Sequence, residues 1–325
     1  MTPTSYGPAT LAAVDDIVIG RRREIELVVA ALMAGRHLLL EGPPGTGKST
    51  ILRSVAEASR QPFSFVEGNA ELTPARLAGH FDPAQVLQTG YREDVWVDGP
   101  LAEAMRTGGL LYVEEINRVP EETLNVLVTV MSEGELTVPR LGTIAAAPGF
   151  RLVAAMNPFD AIGTGRISGA VYDRVCRVAM GYQSADDEAS IARSACGNQW
   201  PATYLDGVIN VVRDTRQHSD LASGSSVRGA IDLLLLCRDL ATLRESQPTD
   251  FAVGHDAALT ALSGRVRVAD ASTATADEII GEIWHRHMAT AETEQVGPDT
   301  SAKESPSPAG KDRSRRPAAP TPNEF

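Results

Sequence analysis

Short apolar runs alternate with amphipathic stretches over the first half of the chain. Leu38-Leu39-Leu40, Phe63-Ser64-Phe65-Val66, Leu110-Leu111-Tyr112-Val113 and Arg151-Leu152-Val153-Ala154-Ala155-Met156 read as strands, with Val175 to Met180 a candidate fifth. Unbroken apolar runs of this kind fit strands covered on both faces. Helical spacing lies between them. It spans Arg22 to Ala34, closed by Gly35, and Thr50 to Ala58, with Ile51, Leu52 and Val55 on one face. It returns at Leu101 to Arg106, opened by Pro100 and ended by Gly108-Gly109, and at Glu121 to Ser132, with Leu124, Leu127, Val128 and Met131 aligned. Glu135 to Val138 and Ile144 to Ala146 flank Pro139-Arg140-Leu141-Gly142, the pattern of a hairpin. Strands alternating with helices imply an α/β fold with a doubly wound parallel sheet. From about Ser184 helical spacing dominates, in 186–196, 204–217, 226–245, 255–263 and 275–289, without clear strands. The expected organisation is an irregular lead-in over 1–16, an α/β domain over 17–183, a small all-α lid domain over 184–290 and a tail over 291–325. The tail is rich in Pro, Ser, Ala and charge and is expected to be disordered.

Composition narrows the classes. A chain of 325 residues, 43% apolar and 22% charged, is long enough for two domains and ordinary for a soluble globular protein. A net charge of −12 argues against general nucleic-acid binding, which needs a basic surface, but leaves room for a local patch. Cys176, Cys196 and Cys237 are sparse and form no C-x-x-C pair, which suits a reducing compartment and the role of buried small hydrophobes. No run approaches the roughly 20 apolar residues of a membrane span, and no secretion signal opens the chain. The expectation is a cytoplasmic protein without membrane insertion.

The chemistry gathers around Gly42-Pro43-Pro44-Gly45-Thr46-Gly47-Lys48-Ser49, which fits the phosphate-loop pattern G-x-x-x-x-G-K-[ST] between a strand and a helix. Its glycines let backbone amides approach phosphate oxygens, and the following helix points its positive end at the same anion. Lys48 would reach the β/γ-phosphates, and the Ser49 hydroxyl would ligate Mg²⁺. Hydrolysis of a nucleoside triphosphate also needs an acid for the metal and a base for the attacking water. Glu114 and Glu115, at the end of an apolar strand, supply the pair; otherwise they are solvent-facing acids at a turn. Asn157 stands at the tip of the next strand. Arg174 and Arg228 are candidates for neutralising phosphoryl charge, or surface salt-bridge arginines. Arg21-Arg22-Arg23 reads as a solvated first helical turn in preference to a phosphate clamp.

The run from Leu110 to Pro120, with Asn157-Pro158, Gly163-Thr164 and Asp173-Arg174 in that order, resembles the MoxR family of AAA+ ATPases over roughly residues 17–290. The resemblance implies the AAA+ P-loop architecture with its lid, ATP and Mg²⁺ as cofactors, and a homo-oligomeric ring, commonly a hexamer. It implies that Val18, Ile19 and Gly20 border the adenine and that Gly45, Thr46, Gly47, Lys48, Ser49 and Thr50 border the phosphates. Glu115 becomes the catalytic glutamate, Asn157 the γ-phosphate sensor, Arg174 a finger into the neighbouring subunit and Arg228 a second sensor. Arg166 is the alternative finger. Inserted hairpins are implied around Thr89 to Pro100 and around Val138 to Ile144. Glu114 stands where the family usually carries Asp, and Val175 where Phe usually follows the finger. The resemblance further implies a protein client and a partner bearing a von Willebrand factor A domain. The weighed alternatives are a magnesium-chelatase-like motor, a nucleic-acid-directed motor, a weakly hydrolysing ATP-bound switch and a small-molecule P-loop kinase.

Overall fold

The computed structural model describes residues 6–158 and 167–289. The chain opens with helix α1, Pro8–Asp15, where an irregular lead-in was expected. Proline at its first position and the fully buried Val14 explain the helix: it packs on the α/β core, a tertiary contact that eight residues of sequence do not announce. Next come α2 (Arg22–Met33), β1 (His37–Glu41), α3 (Lys48–Ala58) and β2 (Phe63–Glu67). The polar excursion folds as α4 (Pro74–Ala78), β3 (Gly79–Phe81), α5 (Pro83–Thr89) and β4 (Trp96–Asp98). Its hairpin therefore pairs β3 with β4 and begins well before Thr89, with a helix inserted between the strands. Then follow α6 (Pro100–Thr107), β5 (Leu110–Glu114), α7 (Glu121–Glu133), the hairpin β6 (Glu135–Val138) with β7 (Gly142–Ala145), and β8 (Arg151–Met156). The short α8 (Gly169–Tyr172) leads into β9 (Val175–Ala179).

The five-stranded sheet has the order β2-β5-β8-β1-β9, and each neighbouring pair is parallel. Alternation along each strand divides its side chains between two cores. Leu38, Leu40, Leu110, Tyr112, Val153 and Ala155 meet α1, α2 and α3. Leu39, Leu111, Val113, Leu152 and Ala154 meet α6 and α7. Both faces are covered, which is why the strand sequences run apolar without interruption. From β1 the chain crosses to β2 at one edge, returns through β5 and β8 and passes over β1 to β9 at the other edge, so the loops beyond the C-terminal ends of β1, β5 and β8 lie side by side.

After Ser184 the chain is mainly helical: α9 (Ala185–Cys196), α10 (Ala202–Asp214), α11 (Val227–Arg244), α12 (Phe251–Leu262) and α13 (Ala276–Met288). They share a third core that includes Tyr204, Leu233, Leu234, Ile283 and Trp284. Contrary to the strandless reading, β10 (Leu221–Ser223) pairs antiparallel with β11 (Arg267–Val268). Strands of two or three residues are too short to show a period. Cys196 and Cys237 are buried as expected, but Cys176 is exposed on the edge strand β9. No helix among the described residues is long and apolar enough to cross a membrane.

Candidate nucleotide site

The loop from Gly42 to Gly47 joins the C-terminal end of β1 to the N-terminus of α3. Gly47 caps that helix with φ 87°, and a Cβ there would meet nothing within 4 Å, so the space over the helix end is open. Gly45, at φ 74°, is needed twice: a Cβ would be strained and would also stand 2.2 Å from the Ser226 hydroxyl. Gly42 is pressed against the Met180 carbonyl, and the buried Thr46 donates to the Pro43 carbonyl at 2.9 Å. Pro44 completes the turn. The Lys48 ammonium donates to the carbonyls of Gly42 and Pro43, each at 2.8 Å, and so lies across the mouth of the loop. Burial pulls its pKa down to about 8. Glu114 opposes this shift, while the charges of Arg228 and Arg21 reinforce it. An ammonium so destabilised gains from an incoming anion.

Ser49, one residue into α3, donates to the Glu114 carboxylate at 2.9 Å, joining the loop to the end of β5. A hydroxyl and a carboxylate beside an open helix N-terminus suit Mg²⁺, a hard cation that takes one or two protein oxygens and completes its shell with phosphate and water. Among the described residues no cluster of three or more His, Cys, Asp or Glu would cage a metal with protein ligands alone. The donor set therefore fits a metal that arrives with a phosphate.

Glu115 holds a left-handed backbone, φ 51° and ψ 45°, unusual for a residue with a Cβ and typical of sites where geometry overrides local preference. Gly68 packs against its carbonyl, and Arg118 pairs with its carboxylate at 3.1 Å. Asn157 follows β8 directly. The register Glu41 with Met156, and the bond from the Gly42 amide to the Met156 carbonyl at 3.2 Å, bring Asn157 beside the start of the loop.

A cleft of 310 Å³ runs from this cradle to the helical layer. Val18, Ile19, Gly45, Thr50 and Arg228 line it, and Ile191 of α9 supplies an apolar wall. Gly20 stands behind it, against the Asp187 carboxyl, where a Cβ would approach to 2.4 Å. Gln183, Ser194 and Ala195 also border the cleft and were not anticipated; for Ser194 and Ala195 the signal is their i+3, i+4 spacing from Ile191 on an amphipathic helix, and Gln183, before that helix, has none. Arg21 is a further correction. It is only 3% exposed, donates to the Gly181 carbonyl at 2.6 Å and pairs with Glu24, whereas Arg22 is the solvated member, paired with Asp15 and Glu26.

Arg174 lies elsewhere. It precedes β9, whose first residue pairs with His37 at the start of β1, so the length of a five-residue strand, roughly 15 Å, separates it from the loop in its own chain. It donates to the Ser132 hydroxyl and, at 2.7 Å, to the Ala170 carbonyl. Arg166, Gly163 and Thr164 lie outside the described residues. Of the two hairpin arginines, Arg92 pairs with Asp94 at 2.9 Å and Arg140 stacks 3.9 Å over Tyr91.

Comparison with known proteins gives a consistent set. The family model described as AAA domain (dynein-related subfamily) matches residues 37–175. An uncharacterized protein of Staphylococcus epidermidis is 30% identical over 220 residues, covering 66% of this chain and 81% of its own length. The gas vesicle ATPase GvpN1 of Halobacterium salinarum is 28% identical over 210 residues, 60% of each chain. Among solved structures, a mutant of Thermotoga maritima RuvB superposes with a TM-score of 0.52 at 19% identity, covering 77% of this chain and 72% of its own. At that identity the likeness is one of fold.

Proposed function

Residues 37–175 match an AAA domain of the dynein-related subfamily, and from that premise we propose that the protein is a Mg²⁺-dependent ATPase of MoxR type. It works as a homo-oligomeric ring, most simply a hexamer, and remodels or matures a protein client together with a partner bearing a von Willebrand factor A domain. The observation that carries the ATPase reading is the Ser49–Glu114 bond at 2.9 Å beneath the Lys48 ammonium. It joins the anion cradle and the metal-facing acid into one site.

In this reading the amides of 45–49 and Lys48 bind the β- and γ-phosphates, Thr50 borders them, and Val18, Ile19 and Gly20 flank the base. Ser49 and Glu114 hold Mg²⁺, which would neutralise charge between phosphate oxygens. Glu115 accepts a proton from the attacking water, and Asn157 orients that water against the γ-phosphate. Arg228, at the start of α11, brings the helical layer onto the nucleotide. The distance of Arg174 from its own loop favours its service to the neighbouring subunit, as a cation that stabilises the transferring phosphoryl group. The description of GvpN1 as an ATPase supports hydrolysis in this family. A nucleic-acid-directed motor is less well supported, because Arg92 and Arg140 are already engaged within the chain.

The test is ATP turnover by the purified protein across a concentration series, beside Lys48→Ala, Glu115→Gln and Arg174→Ala. Turnover per subunit is expected to rise with concentration. All three substitutions should lower it by 10²-fold or more, and only Lys48→Ala should abolish nucleotide binding. Wild-type protein that binds ATP but does not hydrolyse it at any concentration would replace this reading with an ATP-bound switch.

A further inference from the structure

Tyr112 is a large fully buried side chain in the middle of β5, and its hydroxyl ends at the metal-facing side of the site. Alternation puts residues 110, 112 and 114 on the face of the sheet that meets α3, and Ser49 stands at the start of that helix. The phenol oxygen lies 3.2 Å from the Ser49 hydroxyl, which itself donates to the Glu114 carboxylate at 2.9 Å. Phe63 and Phe65 of β2 wall the ring, with centroids 6.1 and 5.6 Å away, and Arg53 lies over both phenylalanines. A buried phenol must satisfy its O–H, and the Ser49 hydroxyl, one of the two groups assigned to Mg²⁺, is the partner within reach.

We propose that Tyr112 is a positioning residue for the metal site, its hydroxyl holding the Ser49 hydroxyl, and through it the long Glu114 side chain, in register. The inference rests on the ATPase reading above and extends it. Glu114 has one more methylene than the aspartate usual at this position of the resembling family, so its carboxylate has an additional torsion to restrain. A hydroxyl fixed by aromatic packing supplies that restraint through Ser49, the donor to the Glu114 carboxylate.

The experiment uses the full chain and a fluorescent ATP analogue, titrated with Mg²⁺ and in EDTA. Tyr112→Phe removes only the hydroxyl and leaves Ser49 and Glu114 to partner each other, so thermal unfolding serves as the control on folding. The expected result is an increase of about five- to tenfold in the Mg²⁺ concentration for half-maximal binding, with affinity in EDTA retained. In a Glu114→Asp background the same substitution should shift that concentration by less than about twofold, because the shorter acid lacks the torsion being restrained. Unchanged Mg²⁺ dependence in Tyr112→Phe overturns the proposal, as does an equal loss of affinity with and without Mg²⁺, which would mark a general defect of the cradle. An equal shift in both backgrounds overturns the tether to Glu114. If the wild-type protein itself fails to bind the analogue, the ATPase reading falls first and takes this inference with it.

Discussion

Lys48 carries a charge that the fold makes uncomfortable before any phosphate arrives. Its pKa of about 8 in the free protein follows first from burial, and Arg228 and Arg21 add repulsion. A bound polyphosphate would restore the ammonium's proton affinity, so above pH 8 binding must take up a proton. Affinity for a fluorescent ATP analogue is therefore expected to be level below about pH 7.5 and to fall towards tenfold per pH unit above 8. Lys48→Arg, which keeps its charge in this range, should bind more weakly overall but without that slope. A wild-type affinity that is flat from pH 7 to 9.5 would show that Lys48 does not titrate there. Most of this site was legible residue by residue, since Gly45, Gly47, Lys48 and Ser49 declare themselves by type and spacing. Arg21 was not legible. Its place in a basic triplet looks like a solvated turn, and only the approach of Gly181 across the fold buries it.

At the scale of elements, the long helices and the five sheet strands follow from apolar periodicity, while the shortest pieces do not. β3, β10 and β11 have three residues or fewer and exist because a partner strand is brought to them. α5 has no buried residue, so no apolar stripe marks it; the Asp82 carboxylate caps its first turn at 2.9 Å. α13 shows the opposite case, a helix written plainly in the sequence. Thr275 and Glu278 form a reciprocal capping box, and Ile283 and Trp284 lock the helix into the third core. Thr275→Ala is expected to cost about 1 kcal/mol in chemical denaturation. A change below about 0.3 kcal/mol would show that packing alone holds this helix end.

At the scale of the whole molecule, the parallel sheet separates two groups of candidate residues along its strands. Lys48, Ser49, Glu114 and Asn157 gather at the C-terminal ends of the strands, and Arg174 stands at the N-terminal end of β9. If the neighbouring subunit's site receives Arg174, two different defects can complement each other. Mixing Arg174→Ala subunits with Glu115→Gln subunits should recover a measurable fraction of wild-type turnover, because some interfaces then join an intact Glu115 to an intact Arg174. Mixtures that remain as inactive as either variant alone would argue for a site completed within one chain. The same scale explains the two inserts. Arg140 over Tyr91, with Phe81 and Trp96 edge-on nearby, ties the β6–β7 hairpin to the β3–β4 insert, an association that spacing along the chain does not encode.

The sequence by itself determined the phosphate loop, the paired acids, the five strands of the main sheet with the longer helices between them, and the sheet's parallel character. Each of these depends on residue type and local period, and a glycine that must turn or an apolar run that must be covered acts wherever the chain goes. Only the tertiary structure decided that α1 is a helix, that Arg21 is buried, that Cys176 is exposed and that Tyr112 reaches Ser49 and, through it, Glu114. These outcomes depend on which surfaces meet across long separations in sequence, and burial and hydrogen bonding are properties of that meeting.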